Sequence, residues 1–369
     1  MMGWNIESLI EKKEYESWSV MTVGQMIRSN DQEQAAHKQT MSRRDMQMGN
    51  QTQVTEFLIL GFSDYPDLQI LLFVVFLCIY LVTLMGNFTI LTLMFVDSRL
   101  HKPMYFFLIN LAILDVCLTS CTLPKMLSIF LLDDKAIPFL GCIIQLYLLM
   151  SFTGVEFYLL TAMAYDRYVA ICNPLRYSIV MNKRVCALLS VICWVIGLLD
   201  VLPHSVFLAY SSFCRHNVIN HLFCDFRSML QLSCSDTSVS KLLMSTLDFG
   251  SALLSLVFIL VSYSQIFYSI LRMQSVKGRY KAFSTCSSHL MVVSIYSGGV
   301  FFVYLRPTSK NVSSVDKLID SFYNTVIPML NPIIYSLRNK DIKAALKKLI
   351  QRRNWIVSYR NVIATKDLV

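Results

Sequence analysis

Seven apolar runs, each long enough at about 20 residues or more to cross a bilayer, constrain this chain more than any other feature. They fall at about Gln69–Val96, Pro103–Ile129, Gly141–Ile171, Val185–Val206, Leu242–Leu271, Ala282–Leu305 and Leu318–Leu337. Backbone in hydrocarbon must satisfy its own hydrogen bonds, which a helix of that length does. Hydrophobic residues make up 55% of the 369 and charged residues 15%, too apolar a balance for a soluble multi-domain protein. The expected fold is therefore an all-α membrane protein, a bundle of seven transmembrane helices. After the last run, Arg338 to Ile350 sets apolar residues at helical spacing with lysines between them, which predicts a short amphipathic helix on the membrane surface.

The net charge of +9 does not mark a nucleic-acid surface, because the basic residues lie in short loops and the tail. One side carries Arg99 and Lys102, then Arg176, Lys183 and Arg184, then Arg272, Lys277, Arg279 and Lys281, then the basic tail. The other carries fewer, mixed with acids. The richer side is expected to be cytoplasmic, with the amino terminus outside, in a multi-pass protein of the plasma membrane. Asn50-Gln51-Thr52 is a glycosylation sequon just before the first span and agrees with that orientation. Residues 1–47 are polar, show no basic segment followed by an apolar core, and are expected to be a disordered extension with Met46 or Met48 as the usual start. Residues 48–67 would form an outer segment, 68–337 the seven-span domain, and 338–369 the cytoplasmic helix and tail.

Ionisable groups inside spans are costly and mark functional sites. Asp115 and Glu156 lie mid-span on neighbouring helices. They read as a shared site for a cation such as Na⁺ or for a proton, or as a hydrogen-bonded structural pair. Asn87 and Asn331 sit at comparable depth. At the end of the third run, Asp166-Arg167-Tyr168 places two charges where lipid gives way to water. The guanidinium can pair with its neighbour in one state and reach elsewhere in another. In Asn331-Pro332-Ile333-Ile334-Tyr335 the proline removes a backbone hydrogen bond and softens the seventh helix, so that Tyr335 swings near Arg167. His289 reads as a polar latch between helices or as an interfacial residue.

Cys142 opens the third span on the outer side, and the long outer loop from about Phe207 to Thr237 holds Cys214, Cys224 and Cys234. Four cysteines on an oxidising face suggest disulfides, for which three pairings exist. His216 and His221 raise a metal site as the alternative. No phosphate loop, His-Glu-x-x-His run or convergent Ser-His-Asp set is present, so no catalytic residue is assigned and an enzyme is disfavoured. A transporter or channel built on Asp115 and Glu156 is the competing class. It predicts internal repeats and a polar file across the membrane, and neither is visible.

With Asp166-Arg167-Tyr168 and Asn331 to Tyr335 on seven spans, the chain resembles the rhodopsin-like G-protein-coupled receptors. Within them it resembles the olfactory (odorant) receptors through Leu100 to Leu108, Met163 to Tyr177, Ser262-Tyr263, Lys281 to Leu290 and Pro328 to Asn339. The match covers roughly Asn50 to Ile350; residues 1–47 have no counterpart. The resemblance implies a receptor that binds a small, mostly apolar volatile and activates a stimulatory G protein to raise cyclic AMP. It implies disulfides Cys142–Cys224 and Cys214–Cys234. Arg167 would engage the G protein once the sixth helix swings out, with Tyr263 and Tyr335 restraining the open form. The ligand pocket would lie between helices three, five and six under the long loop. Leu149, Met150, Thr153 and Gly154 would line it, with Leu247, Asp248 and Ser251 and with Val300, Phe301 and Tyr304. One departure stands out: the family's Phe-Tyr-Gly is here Tyr296-Ser297-Gly298. Either Tyr296 replaces the missing aromatic at the pocket floor by a slight rotation, or Ser297 leaves the floor deeper. Leu149 occupies the position where amine-sensing relatives carry an aspartate, which argues against amine recognition by that route. Asp200 and Asp248 either line the pocket and favour polar or cationic odorants, or face water or a loop arginine.

Overall fold

Each apolar run forms a helix, and the helices overrun the apolar boundaries wherever capping residues or solvated charges let them continue. In the computed structural model the described residues are 54–62, 66–213, 217–305, 314–339 and 341–351, all within one compact unit, Gln53–Val369. The spans are α1 (Pro66–Val96), α2 (Pro103–Leu132), α3 (Phe139–Cys172), α4 (Lys183–Tyr210), α5 (Ser238–Arg272), α6 (Val276–Leu305) and α7 (Ser314–Arg338). A further helix, α8, covers 341–351. The first five are long and apolar enough to cross a membrane by length and composition alone. The extension of residues 1–47, Asn50, Cys214 and His216 lie outside the described residues.

Local chemistry sets the ends. Pro103 occupies the first turn of α2, where a missing N–H costs nothing. The Asn182 side chain accepts from the Val185 amide at 3.0 Å and starts α4. Asn339 Oδ1 accepts from the amides of Asp341 and Ile342 and starts α8, which buries Ile342 and Ala345 against the bundle. The loop expected to hold Lys277, Arg279 and Lys281 is a correction: these residues belong to the first turns of α6. Helical backbone there lies beyond the apolar run, where water solvates the charges.

α3 is the central helix. It packs against α2, α4, α5 and α6, while α7 closes the ring against α1, α2 and α6. Val155, Leu159, Leu160, Met163 and Ala164 of α3 are fully buried. Leu71 and Val74 of α1, Val191 and Leu199 of α4, and Leu254 and Phe258 of α5 are exposed, as side chains facing lipid must be. Two glycines permit close approaches. A Cβ on Gly197 would stand 2.5 Å from Val155 Cγ2 and 2.8 Å from its backbone nitrogen, so α4 rests on α3 at backbone distance. A Cβ on Gly86 would stand 2.8 Å from Pro332 Cγ, so α1 receives the proline bend of α7.

Among the described residues the bundle carries one small sheet that the all-helical expectation does not contain. β1 (Glu56–Ile59) lies between β2 (Ala136–Pro138), antiparallel to it, and β3 (Val218–Ile219), parallel to it. Phe57 and Ile59 are fully buried beneath it. Strands of two to four residues are too short for alternation to show in a sequence. The Cys142–Cys224 disulfide fastens the long loop to the start of α3 beside this sheet. Gln145 Oε1 reinforces it by accepting from the Cys224 amide at 3.0 Å. Cys234 is also disulfide-bonded.

Candidate functional site

The side chains singled out by chemistry gather in four stations along α3. At the sheet end, a cavity of about 150 Å³ lies below the disulfide loop, comparable to a cavity that admits benzene. Leu149, Met150, Thr153 and Gly154 of α3 line it, with Asp248, Ser251 and Ala252 of α5 and Val300 of α6. α4 contributes Gly197, Asp200 and Val201, and α7 contributes Asp320, Tyr323 and Asn324. The wall thus draws on α4 and α7 as well as the three helices anticipated.

Some anticipated residues stand elsewhere. Leu247 sits in a π-helical turn, Met244–Asp248, which turns its side chain outward to an exposed position. Phe301 packs edge-on against Phe249, ring centres 5.9 Å apart, and does not line the cavity. The side chain of Tyr304 lies outside the described residues. Ser297 is buried away from the wall. Its neighbour Tyr296 is not on the wall either: it is 2% exposed, donates to the Thr153 carbonyl at 2.6 Å, and packs behind Phe157 and Tyr323, which do line the cavity.

Both acids of the outer halves line the cavity. Asp200 accepts a hydrogen bond from Tyr158. Asp248 Oδ1 accepts from His204 Nε2 at 3.1 Å. His221 lies by Asp320, Nε2 to Oδ2 at 3.4 Å. Among the described residues no three His, Cys, Asp or Glu side chains converge as a metal cage.

Below the floor lies the polar core. Asn331 Nδ2 donates to both oxygens of Asp115, at 3.0 and 3.2 Å, and to Glu156 Oε1 at 3.2 Å. One amide thus joins α2, α3 and α7. Glu156 Oε2 and Asn331 Oδ1 have no donor among the described residues. All the unsatisfied oxygens are acceptors, a set that fits a small hard cation or a proton. Asn87 does not join this set: its Nδ2 donates to the Pro328 carbonyl at 3.2 Å and the Thr83 carbonyl at 3.1 Å.

The third station ties three helices. His289 Nε2 donates to the Leu160 carbonyl at 3.1 Å, so Nδ1 is left to accept from Tyr263 Oη at 2.6 Å. Of the two readings of His289, the latch between α3, α5 and α6 is the geometry observed. At the far end of α3, Arg167 pairs with Asp166 through Nε at 3.0 Å and through Nη2. Tyr177 Oη donates to the other carboxylate oxygen at 2.8 Å. Tyr168 packs partly buried against the core, its ring beside Tyr165. Tyr335 is fully buried, and its hydroxyl has no partner among the described residues.

Sequence reasoning missed Tyr158, His204, Tyr177 and Asp320 as partners. One signal was present for His204: it follows Asp200 by four residues and so shares a helical face with it.

A membrane bundle of seven helices, with an Asp-Arg pair closing its central helix and an Asn-Pro bend in its last, is the architecture of the rhodopsin-like G-protein-coupled receptors. The family model for the olfactory receptor matches residues 76–353, more than half of the chain. Olfactory receptor-like protein OLF1 of the dog is 48% identical over 303 residues, covering 82% of this chain and 97% of that protein. Human olfactory receptor 5G3 is 46% identical over 312 residues, covering 85% and 99%. Mouse olfactory receptor 5G9 is 46% identical over 303 residues, covering 82% and 96%. The chain belongs to the olfactory receptor family, receptors rather than enzymes.

Proposed function

We propose that the receptor binds a small, mostly apolar odorant in the cavity beside α3 and drives nucleotide exchange on a stimulatory, olfactory-type G protein, raising cyclic AMP. The single observation that carries this reading is the line of stations on one helix. Thr153 and Gly154 meet the cavity, Glu156 the polar core, the Leu160 carbonyl the His289 latch, and Asp166-Arg167 the opposite end. A ligand pressing on Phe157 and Tyr323 of the wall acts on Tyr296 of α6, which packs on both and donates to the Thr153 carbonyl of α3. A ligand favouring one of two arrangements of α6 shifts their populations by its differential affinity. In the arrangement seen here Arg167 is held by Asp166. Outward movement of α6 breaks the Tyr263–His289 contact and opens the end of the bundle where Arg167 engages the G protein. Asp115, Glu156 and Asn331 hold a cation such as Na⁺ or a proton in the resting form. The receptor works at the plasma membrane with its amino terminus outside.

Cyclic AMP measured in cells expressing the full chain with an olfactory-type stimulatory G protein, across a broad odorant panel, tests this reading. A ligand response that Arg167→Ala abolishes at equal surface level is the expected result. Silence to the whole panel at confirmed surface expression counts against it.

A further inference from the structure

The wall of the cavity is acidic. Asp200, Asp225, Asp248 and Asp320 line it against a single guanidinium, Arg227. Asp320 lies by His221, and the other three acids differ in how they are held. The Asp225 carboxylate caps a helix by accepting from the Ser228 amide, and Asp200 is taken up by Tyr158. Asp248 has His204 on Oδ1 only. The His204 ring is not on the wall and is itself fully buried, so it holds the carboxylate from behind. Asp248 Oδ2 has no hydrogen-bond partner among the described residues, although the side chain is only 10% exposed. A buried carboxylate oxygen left unsatisfied at a cavity wall is costly unless something enters to satisfy it.

We infer that the ligands of this receptor are small protonated amines, whose ammonium group is taken by Asp248 with Asp200 beside it. The inference rests on the reading of this cavity as the odorant site. Alkylamines, with a pKa of about 10 like the lysine side chain, arrive charged. An ion pair out of water is favourable only when the charges also form hydrogen bonds. Asp248 offers an orphan acceptor, pre-oriented by His204. The rest of the wall suits an apolar cation: Phe157, Tyr158, Phe226 and Tyr323 are aromatic, a residue type whose ring face attracts cations. The volume of about 150 Å³ holds the body to a few carbons or one ring. The aspartate that amine-sensing relatives carry on the third helix is Leu149 here, so the anion comes from α5 and the ammonium lies on the α4–α5 side.

The test uses matched pairs with one carbon skeleton, such as benzylamine with benzyl alcohol and cyclohexylmethylamine with cyclohexylmethanol. Cyclic AMP is read from the full chain, with surface expression measured for every variant. Amines are expected to be the more potent member of each pair. Asp248→Asn is expected to weaken the amines by about tenfold or more while alcohols change little, since removing one partner of a buried charge pair is expensive. Asp248→Glu keeps the amine preference and shows that the loss is one of charge and not of folding. Alcohols that match or exceed their amines in the unaltered receptor, or an Asp248→Asn shift equal for both classes, overturn the inference while leaving the cavity as the odorant site. Loss of the amine preference in Asp248→Glu at normal surface level also overturns it. Silence to every amine, alcohol and other neutral odorant at confirmed surface expression overturns both.

Discussion

Asn87 of α1 donates its side-chain amide to the main-chain carbonyl of Pro328 in α7. The carbonyl is available because the residue one turn on is Pro332, which has no N–H to return to it. The bend of α7 is thus completed by a neighbouring helix, and Gly86 clears the space for the proline ring.

Asn87→Ala leaves the Pro328 carbonyl buried and unpaired and is expected to destabilise the receptor by about 1–3 kcal/mol. In a Pro332→Ala background the restored amide takes the carbonyl, and the same change costs less. Thermal unfolding of the detergent-solubilised protein in a double-mutant cycle checks this; strictly additive costs would contradict it.

Asp166 is held to Arg167 on one oxygen and to Tyr177 on the other. Asp166→Asn removes the charge that restrains the guanidinium and is expected to raise ligand-independent cyclic AMP several-fold. Tyr177→Phe removes only one donor, about 1 kcal/mol of interaction, and should raise it less. Equal basal signal in both variants and the unaltered receptor, at matched surface levels, would show that the pair does not restrain signalling.

Gly197→Ala forces a methyl against the side chain and backbone of Val155. Overpacking of this kind costs about 1–3 kcal/mol. Because backbone atoms are among the clashing partners, Val155→Ala should restore surface expression only in part. Full rescue would mean that the side chain alone sets the spacing of α3 and α4.

Outside the membrane, the hydrogen bond from Lys102 at 2.7 Å, aided by one from Tyr105, lowers the pKa of the Asp341 carboxyl below its ordinary value. A lowered folded-state pKa stabilises the fold above the unfolded carboxylate range and loses that contribution as pH falls through the folded value. Docking of α8 is therefore expected to be constant between about pH 8 and pH 5 and to weaken only in stronger acid. Both partners are about half exposed, so the contribution is below about 1 kcal/mol and falls with salt. A fluorophore on α8 that reports undocking checks both dependences; release near neutral pH would assign the docking to another group.

Much of this was legible in the amino-acid order, for physical reasons. Lipid admits few structures, so apolar run length located the spans; the cost of intramembrane charge marked Asp115 and Glu156, and the charged pair at the water boundary of the third run marked Asp166 and Arg167, before any contact was known. What could not be read was rotation about each helix axis. Whether Asp200 and Asp248 met the cavity, water or a loop arginine depends on how α4 and α5 turn toward α3, where Gly197 of α4 meets Val155 and α5 carries its π-turn. The π-turn also moved Leu247 outward. The sheet was invisible because its three strands are short and far apart in the chain.

That sheet orders the biosynthesis of the receptor. β1 is its central strand and leaves the ribosome first. Its antiparallel partner β2 follows only after two spans, and its parallel partner β3 after four. Until then β1 lacks a partner on at least one side, and the cover over Phe57 and Ile59, fully buried in the finished protein, is incomplete. An unpaired edge is a template for pairing with another chain. The sheet can therefore close only once Val218 has joined the chain, after four of the seven spans.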